Sequence, residues 1–162
     1  MVNDFYVISG DIDKAIEVMR DVALWCEKTG KKMWKLGDLT KEKLVEGLTP
    51  QNFFIGRVHG EAASSMILQW YDPLFWPEVL ENESGFIHKL CVSRKYAGLG
   101  VSNKMVEYAI EECRRRKVKY LRLDTGWKRA KLCFFYESLG FVKVGKRTVN
   151  EKDYALYEML ID

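Results

Sequence analysis

"LCVSRKYAGLGVSNKM", Leu90 to Met105, changes its physical character partway through. An apolar run ends at Val92, glycines follow at Gly98 and Gly100, and a helical pattern opens at Val101. A strand that runs through a turn poor in side chains into a helix lets backbone approach a ligand closely. The first turn of such a helix presents unpaired N–H groups and the positive end of the dipole, a setting suited to phosphate. A Gly-x-Gly before a helix is equally a tight turn with no ligand. The usual phosphate loops do not fit: there is no Gly-x-x-x-x-Gly-Lys-Ser/Thr, and the third glycine of a dinucleotide fingerprint is missing.

Working outward, "DFYVIS" (Asp4–Ser9) reads as a strand and "DIDKAIEVMRDVALWCEKTG" as an amphipathic helix. In that helix Ile12, Ala15, Ile16, Met19, Ala23 and Cys26 recur at helical spacing, and Gly30 is the stop. "TKEKLVEGL" reads as a second, short helix capped by Thr40. "FFIGRVHGEAASSMILQWY" holds two strands around a turn centred on His59-Gly60. "GFIHKLCV" is a fourth strand, Val101 to Lys117 a helix and "KYLRLDT" a strand. Ala130 to Leu139 is a helix ended by Gly140, and "FVKVGKRTV" and "YALYEMLI" close the chain as strands. The order β-α-α-β-β-β-α-β-α-β-β predicts an α+β, mixed α/β class rather than a doubly wound sheet.

The chain has 162 residues, 48% hydrophobic and 30% charged, which predicts one globular domain over 1–162. No apolar run reaches the ~20 residues of a membrane span, and the start lacks a secretory leader's pattern. Cys26, Cys91, Cys113 and Cys133 form no Cys-x-x-Cys pair and only two histidines accompany them, so no metal site is expected. Free buried thiols in a reducing cytoplasm are the expected state. The net charge of +3 hides an acidic first half and a basic second half, which suits an anionic ligand on the latter. "CRRRKVK" ends a helix, where the dipole favours cations, so nucleic-acid binding is not expected.

"LCVSRKYAGLGVSNKMVEYAIEECRRR", then "LRLDT", then "LCFFYESLGF" resembles the GNAT superfamily of N-acetyltransferases, which use acetyl-CoA. The specific part runs from about Phe86 to Phe141. The resemblance implies a central, mostly antiparallel twisted sheet of about seven strands with helices on both faces. It implies acetyl transfer from acetyl-CoA to a primary amine of a small molecule, by direct attack in a ternary complex. A non-catalytic acyl-CoA sensor, or acetylation of a protein or peptide amine, are the alternatives. The family's pyrophosphate loop, Gln/Arg-x-x-Gly-x-Gly/Ala, falls on Ala97, Gly98, Leu99, Gly100, Val101 and Ser102, with Ala97 and Ser102 departing from the pattern. Arg94 or Lys95 would replace the lost charge. The pantetheine arm would pair with Leu90, Cys91 and Val92.

The same resemblance makes Tyr136 the general acid for the leaving thiolate. The family's asparagine seven residues earlier is Arg129 here; Arg129 and Lys131 would meet cofactor phosphates or simply be solvated. His88 is the expected base, on the face shared by Phe86, His88, Leu90 and Val92; Glu83 is the second choice and water through a relay the third. Cys91 would point away from His88. The loop "QWYDPLFWPEVLENESG" carries Trp70, Tyr71, Phe75 and Trp76, which either wall the acceptor pocket, cap the core or form a homodimer contact.

Overall fold

A computed structural model describes residues 3–31 and 33–162. It contains seven strands: β1 (Phe5–Ser9), β2 (Phe53–Val58), β3 (Glu61–Gln69), β4 (Ser84–Val92), β5 (Tyr120–Gly126), β6 (Val142–Val149) and β7 (Lys152–Leu160). The helices are α1 (Ile12–Lys28), α2 (Lys41–Leu44), α3 (Val101–Arg116) and α4 (Ala130–Ser138). The strands form one sheet in the order β1-β2-β3-β4-β5-β7-β6. β1–β2, β2–β3, β5–β7 and β6–β7 pair antiparallel, and β4–β5 is parallel. The expected mixed class and mostly antiparallel seven-stranded sheet are thus observed. By backbone proximity the chain divides into two compact units, 1–68 with 89–106, and 69–88 with 107–162.

In the first unit, Asp11 caps α1 by accepting the N–H of Lys14 at 3.0 Å. The helix then buries Ala15, Val18, Met19, Val22, Ala23 and Cys26 against Phe53, Ile55, Ile67 and Cys91. Ile55 and Gly56 are neighbours in β2, so they face opposite sides of the sheet. Ile55 lies under α1, while a side chain on Gly56 would run into Met105 of α3. Helices therefore cover both faces here. The β2–β3 turn is the expected one, with His59 and Gly60 both at positive φ, 50° and 78°, as a type I′ hairpin needs.

Two expectations are corrected. The second helix is a single turn, Lys41–Leu44, although Thr40 caps it as read. The turn ends at Leu44 with Val45 as its cap, and Gly47 redirects the chain at φ 73° between Val45 and Leu48, which both still pack against the core. In β4, Lys89 sits at φ 55°, a left-handed residue inside a strand. Such a residue breaks the two-residue alternation, so a shared face running through His88 to Leu90 and Val92 does not follow.

In the second unit, Trp76, Val79, Phe86 and Leu156 form a core cluster. Arg122 is buried beside it and is paired: Nη1 donates to Ser84 Oγ at 2.6 Å, and Nη2 lies 3.1 Å from Glu158. Its guanidinium also stacks over Trp76 and Tyr120, 5.1 and 4.3 Å from the ring centres. The "CRRR" run is likewise engaged: Arg114 pairs with Glu111 and Asp162, Arg115 with Glu112, and Arg116 lies 4.0 Å over Trp70.

Gly56 supplies a test of the packing on β2. An added Cβ would stand 2.7 Å from Met105 Sδ and 2.8 Å from Phe5 Cε1, and would collide with Ser64 Oγ. Gly56→Ala is expected to lower unfolding stability by about 1–3 kcal/mol in urea titration. A change within a few tenths of a kcal/mol would mean that this face packs loosely.

Candidate active site

β4 and β5 run parallel in register from Ser84↔Tyr120 to Ile87↔Leu123. One step further along each strand stand His88 and Asp124. His88 Nδ1 lies 3.6 Å from Asp124 Oδ1. From the other edge of the ring, His88 Nε2 lies 2.9 Å from Asp72 Oδ2. The imidazole is therefore held between two carboxylates, with 19% of the His88 side chain exposed against 5% for Asp72 and 11% for Asp124.

The loop between β3 and β4 brings Asp72 there. Asp72 Oδ1 accepts the N–H of Phe75 at 3.2 Å, and its backbone carbonyl accepts the N–H of Trp76 at 2.9 Å. This local turn leaves Oδ2 free to meet His88. Phe75 follows into the same neighbourhood, with its ring centre 6.2 Å from His88 and 5.0 Å, edge-on, from Tyr154 of β7. The charge of Asp124 reaches two tyrosines. Burial first, and Asp124 second, hold the Tyr136 hydroxyl well above the usual phenol range, and the same causes raise Tyr154.

Asp72, His88 and Asp124 could also be read as metal ligands, since their donor atoms lie within 4.8 Å of one another. A single ion takes one ring nitrogen, whereas here the two carboxylates address different nitrogens. Two carboxylates on different ring nitrogens can also hold and pass a proton.

Tyr136 stands in the last turn of α4, followed by Gly140 and the buried Phe141. Its carbonyl accepts the N–H of Phe141 at 3.1 Å, and its ring packs edge-on to Phe135 and Phe141. The packing role of this ring is plain. Arg129 and Lys131 are exposed at the start of the same helix.

The first unit carries the glycine turn. Leu90, Cys91 and Val92 lead through a single turn of tight helix, Arg94–Tyr96, into Ala97–Ser102. Gly98 and Gly100 adopt φ 77° and 80°, and nothing lies within 4 Å of a Cβ built on either. The glycines are thus required by backbone angle, and the space in front of them is open. The ladder of α3 begins with the Lys104 N–H donating to the Gly100 carbonyl at 3.2 Å. By helix geometry the N–H groups of Val101, Ser102 and Asn103 precede that ladder. Arg94 stacks 3.9 Å over Trp25, and Lys95 bonds Glu61 at 2.9 Å. Both cations expected to supply charge to the loop have partners elsewhere.

Several sequence-predicted residues are relocated. Trp76 is 3% exposed and belongs to the core cluster, so its ring does not wall an open pocket. Trp70 is pinned beneath Arg116, while Tyr71 is exposed. Glu83 lies 3.6 Å from Arg122 and serves the buried cation there rather than the imidazole. All four cysteines are free and buried, and burial pushes the Cys91 thiol up to about 12, which removes it as a nucleophile at neutral pH. Asp72, Asp124 and Tyr154 were not singled out from the sequence. Asp124 had a signal, a carboxylate in the otherwise buried strand "YLRLDT"; Asp72 had none beyond preceding Pro73.

No helix among the described residues is long and apolar enough to cross a membrane. The family described as "Acetyltransferase (GNAT) family" matches residues 15–141. No curated protein matches the chain. Among solved structures it is similar to a GNAT family acetyltransferase from Listeria monocytogenes, with TM-score 0.75, 21% identity, and 96% of this chain and 94% of that one covered. The ribosomal-protein-S18-alanine N-acetyltransferase of Escherichia coli gives 0.68 and 20%, covering 97% and 94%. A GNAT family acetyltransferase from Elizabethkingia anophelis with acetyl-CoA bound gives 0.68 and 15%, covering 98% and 99%.

Proposed function

Because the chain belongs to the GNAT acetyltransferase family, we propose that it transfers the acetyl group of acetyl-CoA to the primary amine of a small molecule. The observation that carries this reading is the His88 imidazole seated between Asp72 and Asp124. An amine reaches an enzyme mainly as an ammonium ion, and must lose a proton to attack a carbonyl. Two carboxylates favour the approach of the cation, and an imidazole accepts the proton near neutral pH.

Acetyl-CoA supplies an activated thioester carbonyl and a thiol leaving group. The residues of the glycine turn fit its diphosphate: the open space before Gly98 and Gly100 admits the group, and the first N–H groups of α3 stand behind it. Leu90 to Val92 offer backbone groups to the pantetheine amides, a small-molecule form of strand addition. Lys131, and Arg129 beside it, are exposed cations that would meet the remaining phosphate charge. His88 takes the proton of the amine. Tyr136 enters the reaction protonated and is the group that gives its proton to the departing thiolate, a transfer that burial and the charge of Asp124 oppose and that solvent afterwards restores. Tyr71 and Phe75 flank the acceptor's approach. Direct transfer needs no acyl-enzyme, consistent with a Cys91 thiol that stays neutral.

Two measurements test the assignments. Gly100→Val places a branched side chain in the open space before the loop, at a φ of 80° that valine resists. Calorimetry is expected to show CoA affinity lost in a protein that still melts cooperatively. Unchanged affinity in a folded variant would move the diphosphate elsewhere. In kinetics with one fixed acceptor, His88→Ala should remove the ascending limb of kcat/KM near the histidine's pKa. Tyr136→Phe, which keeps the packed ring, should lower kcat by ~10²–10⁴-fold with CoA still bound. Tyr136→Phe activity within about twofold of wild type would leave the ring a packing role only.

A further inference from the structure

We propose that Asp72 is a positioning residue that holds His88 in the Nε2–H form and so makes Nδ1 the proton-accepting atom. The inference rests on the reading of His88 as the base. A neutral imidazole donates from one nitrogen and accepts at the other, and the hydrogen bond it makes decides which. Here the two edges of the ring are not equivalent. Nε2 stands 2.9 Å from Asp72 Oδ2, hydrogen-bonding distance, whereas Nδ1 stands 3.6 Å from Asp124 Oδ1, beyond it. A carboxylate only accepts, so Nε2 carries the hydrogen and the lone pair lies on Nδ1.

Asp72 is built to stay in place. It is 4% exposed, its Oδ1 is held by the Phe75 N–H, and its carbonyl by the Trp76 N–H. Trp76 in turn is anchored in the core with Phe86, two residues before His88 on the same strand. The loop that carries Asp72 is therefore tied to the strand that carries His88 by packing as well as by the hydrogen bond. When Nδ1 takes a proton, the resulting cation lies between two carboxylates, which stabilises it. Among the groups facing the ring are Asp72 and Phe75 from the loop and Asp124 from β5. Beyond Asp124 stand Tyr136 of α4 and Tyr154 of β7, the latter also under the influence of Arg129.

The test uses the whole protein labelled with ¹⁵N-histidine. The sequence contains two histidines, and His59, exposed beside Asp4 with its Nδ1 3.2 Å from that carboxylate, serves as the reference signal. Two-bond ¹H–¹⁵N correlation spectra report the tautomer directly. The wild type above its titration is expected to show His88 as Nε2–H. In Asp72→Asn, the amide oxygen keeps the Phe75 N–H and turns the NH₂ group toward Nε2, which favours the Nδ1–H form. Loss of the negative charge should lower the His88 midpoint by about one unit or more. The ascending limb of kcat/KM should move to lower pH with it, with kcat down on the order of 10²-fold and acceptor KM little changed. A wild-type His88 in the Nδ1–H form overturns the proposal, and needs no variant to fold. An Asp72→Asn protein with unchanged tautomer and midpoint overturns it too. These spectra need no turnover, so their failure is distinct from failure of the acetyl-transfer reading, which shows as missing acceptor-dependent thiol release.

Discussion

A carboxylate that is almost fully buried must be met by donors, and Asp72 is met by two: the Phe75 N–H and the His88 ring. Leaving such a group unpaired costs several kcal/mol, so the contact constrains everything attached to it. It folds the β3–β4 loop back over β4. It sends Trp76 into the core beside Phe86 and Leu156, and it fixes one edge of the imidazole. The parallel register of β4 with β5 then sets the other edge against Asp124. Backbone pairing and one hydrogen bond, acting from opposite sides, determine where the His88 ring sits.

The same loop illustrates how one segment divides its aromatic residues between the core and the surface. Trp76 and Arg122 form a stacked pair inside the unit, and the cation is neutralised by Glu158 and Glu83 and bonded by Ser84. Burial of a charge is tolerated because every side of the guanidinium is occupied. Phe75, half-buried, keeps a ring beside the imidazole, and Tyr71 stays outside. Tyr157, on the neighbouring strand, is fully buried and donates to Glu137 at 2.6 Å, tying α4 and hence Tyr136 to β7.

Most of the fold was legible in the sequence. Helical spacing in α1, the His59-Gly60 hairpin and the strand–glycine–helix passage at Leu90 to Met105 are local patterns, and local patterns survive folding. The glycine turn was legible for the same reason, since positive φ at Gly98 and Gly100 is a demand of the backbone itself. What was hidden is non-local. Asp72 and His88 meet across a loop whose path no periodicity reveals. Trp76 reads the same as Tyr71 in sequence, yet one is core and the other surface. The alternation drawn through β4 failed at Lys89, because a left-handed residue in a strand leaves no mark when it is not glycine. The second helix reads longer than it is because the chain turns at Gly47, at positive φ, while Val45 and Leu48 on either side of it continue to pack on the core.

An imidazole between two carboxylates serves acetyl transfer to an amine only if acetyl-CoA turns over, rather than merely binds, on the protein. The most direct measurement is release of free thiol from acetyl-CoA by the purified protein, with and without a panel of small primary amines, alongside a peptide bearing a free N-terminus. Release that rises with one or more small amines, and mass spectra showing those amines acetylated, are the expected result. Tight CoA binding with no amine-dependent release would contradict it and leave a sensor; release only with the peptide would contradict the small-molecule assignment.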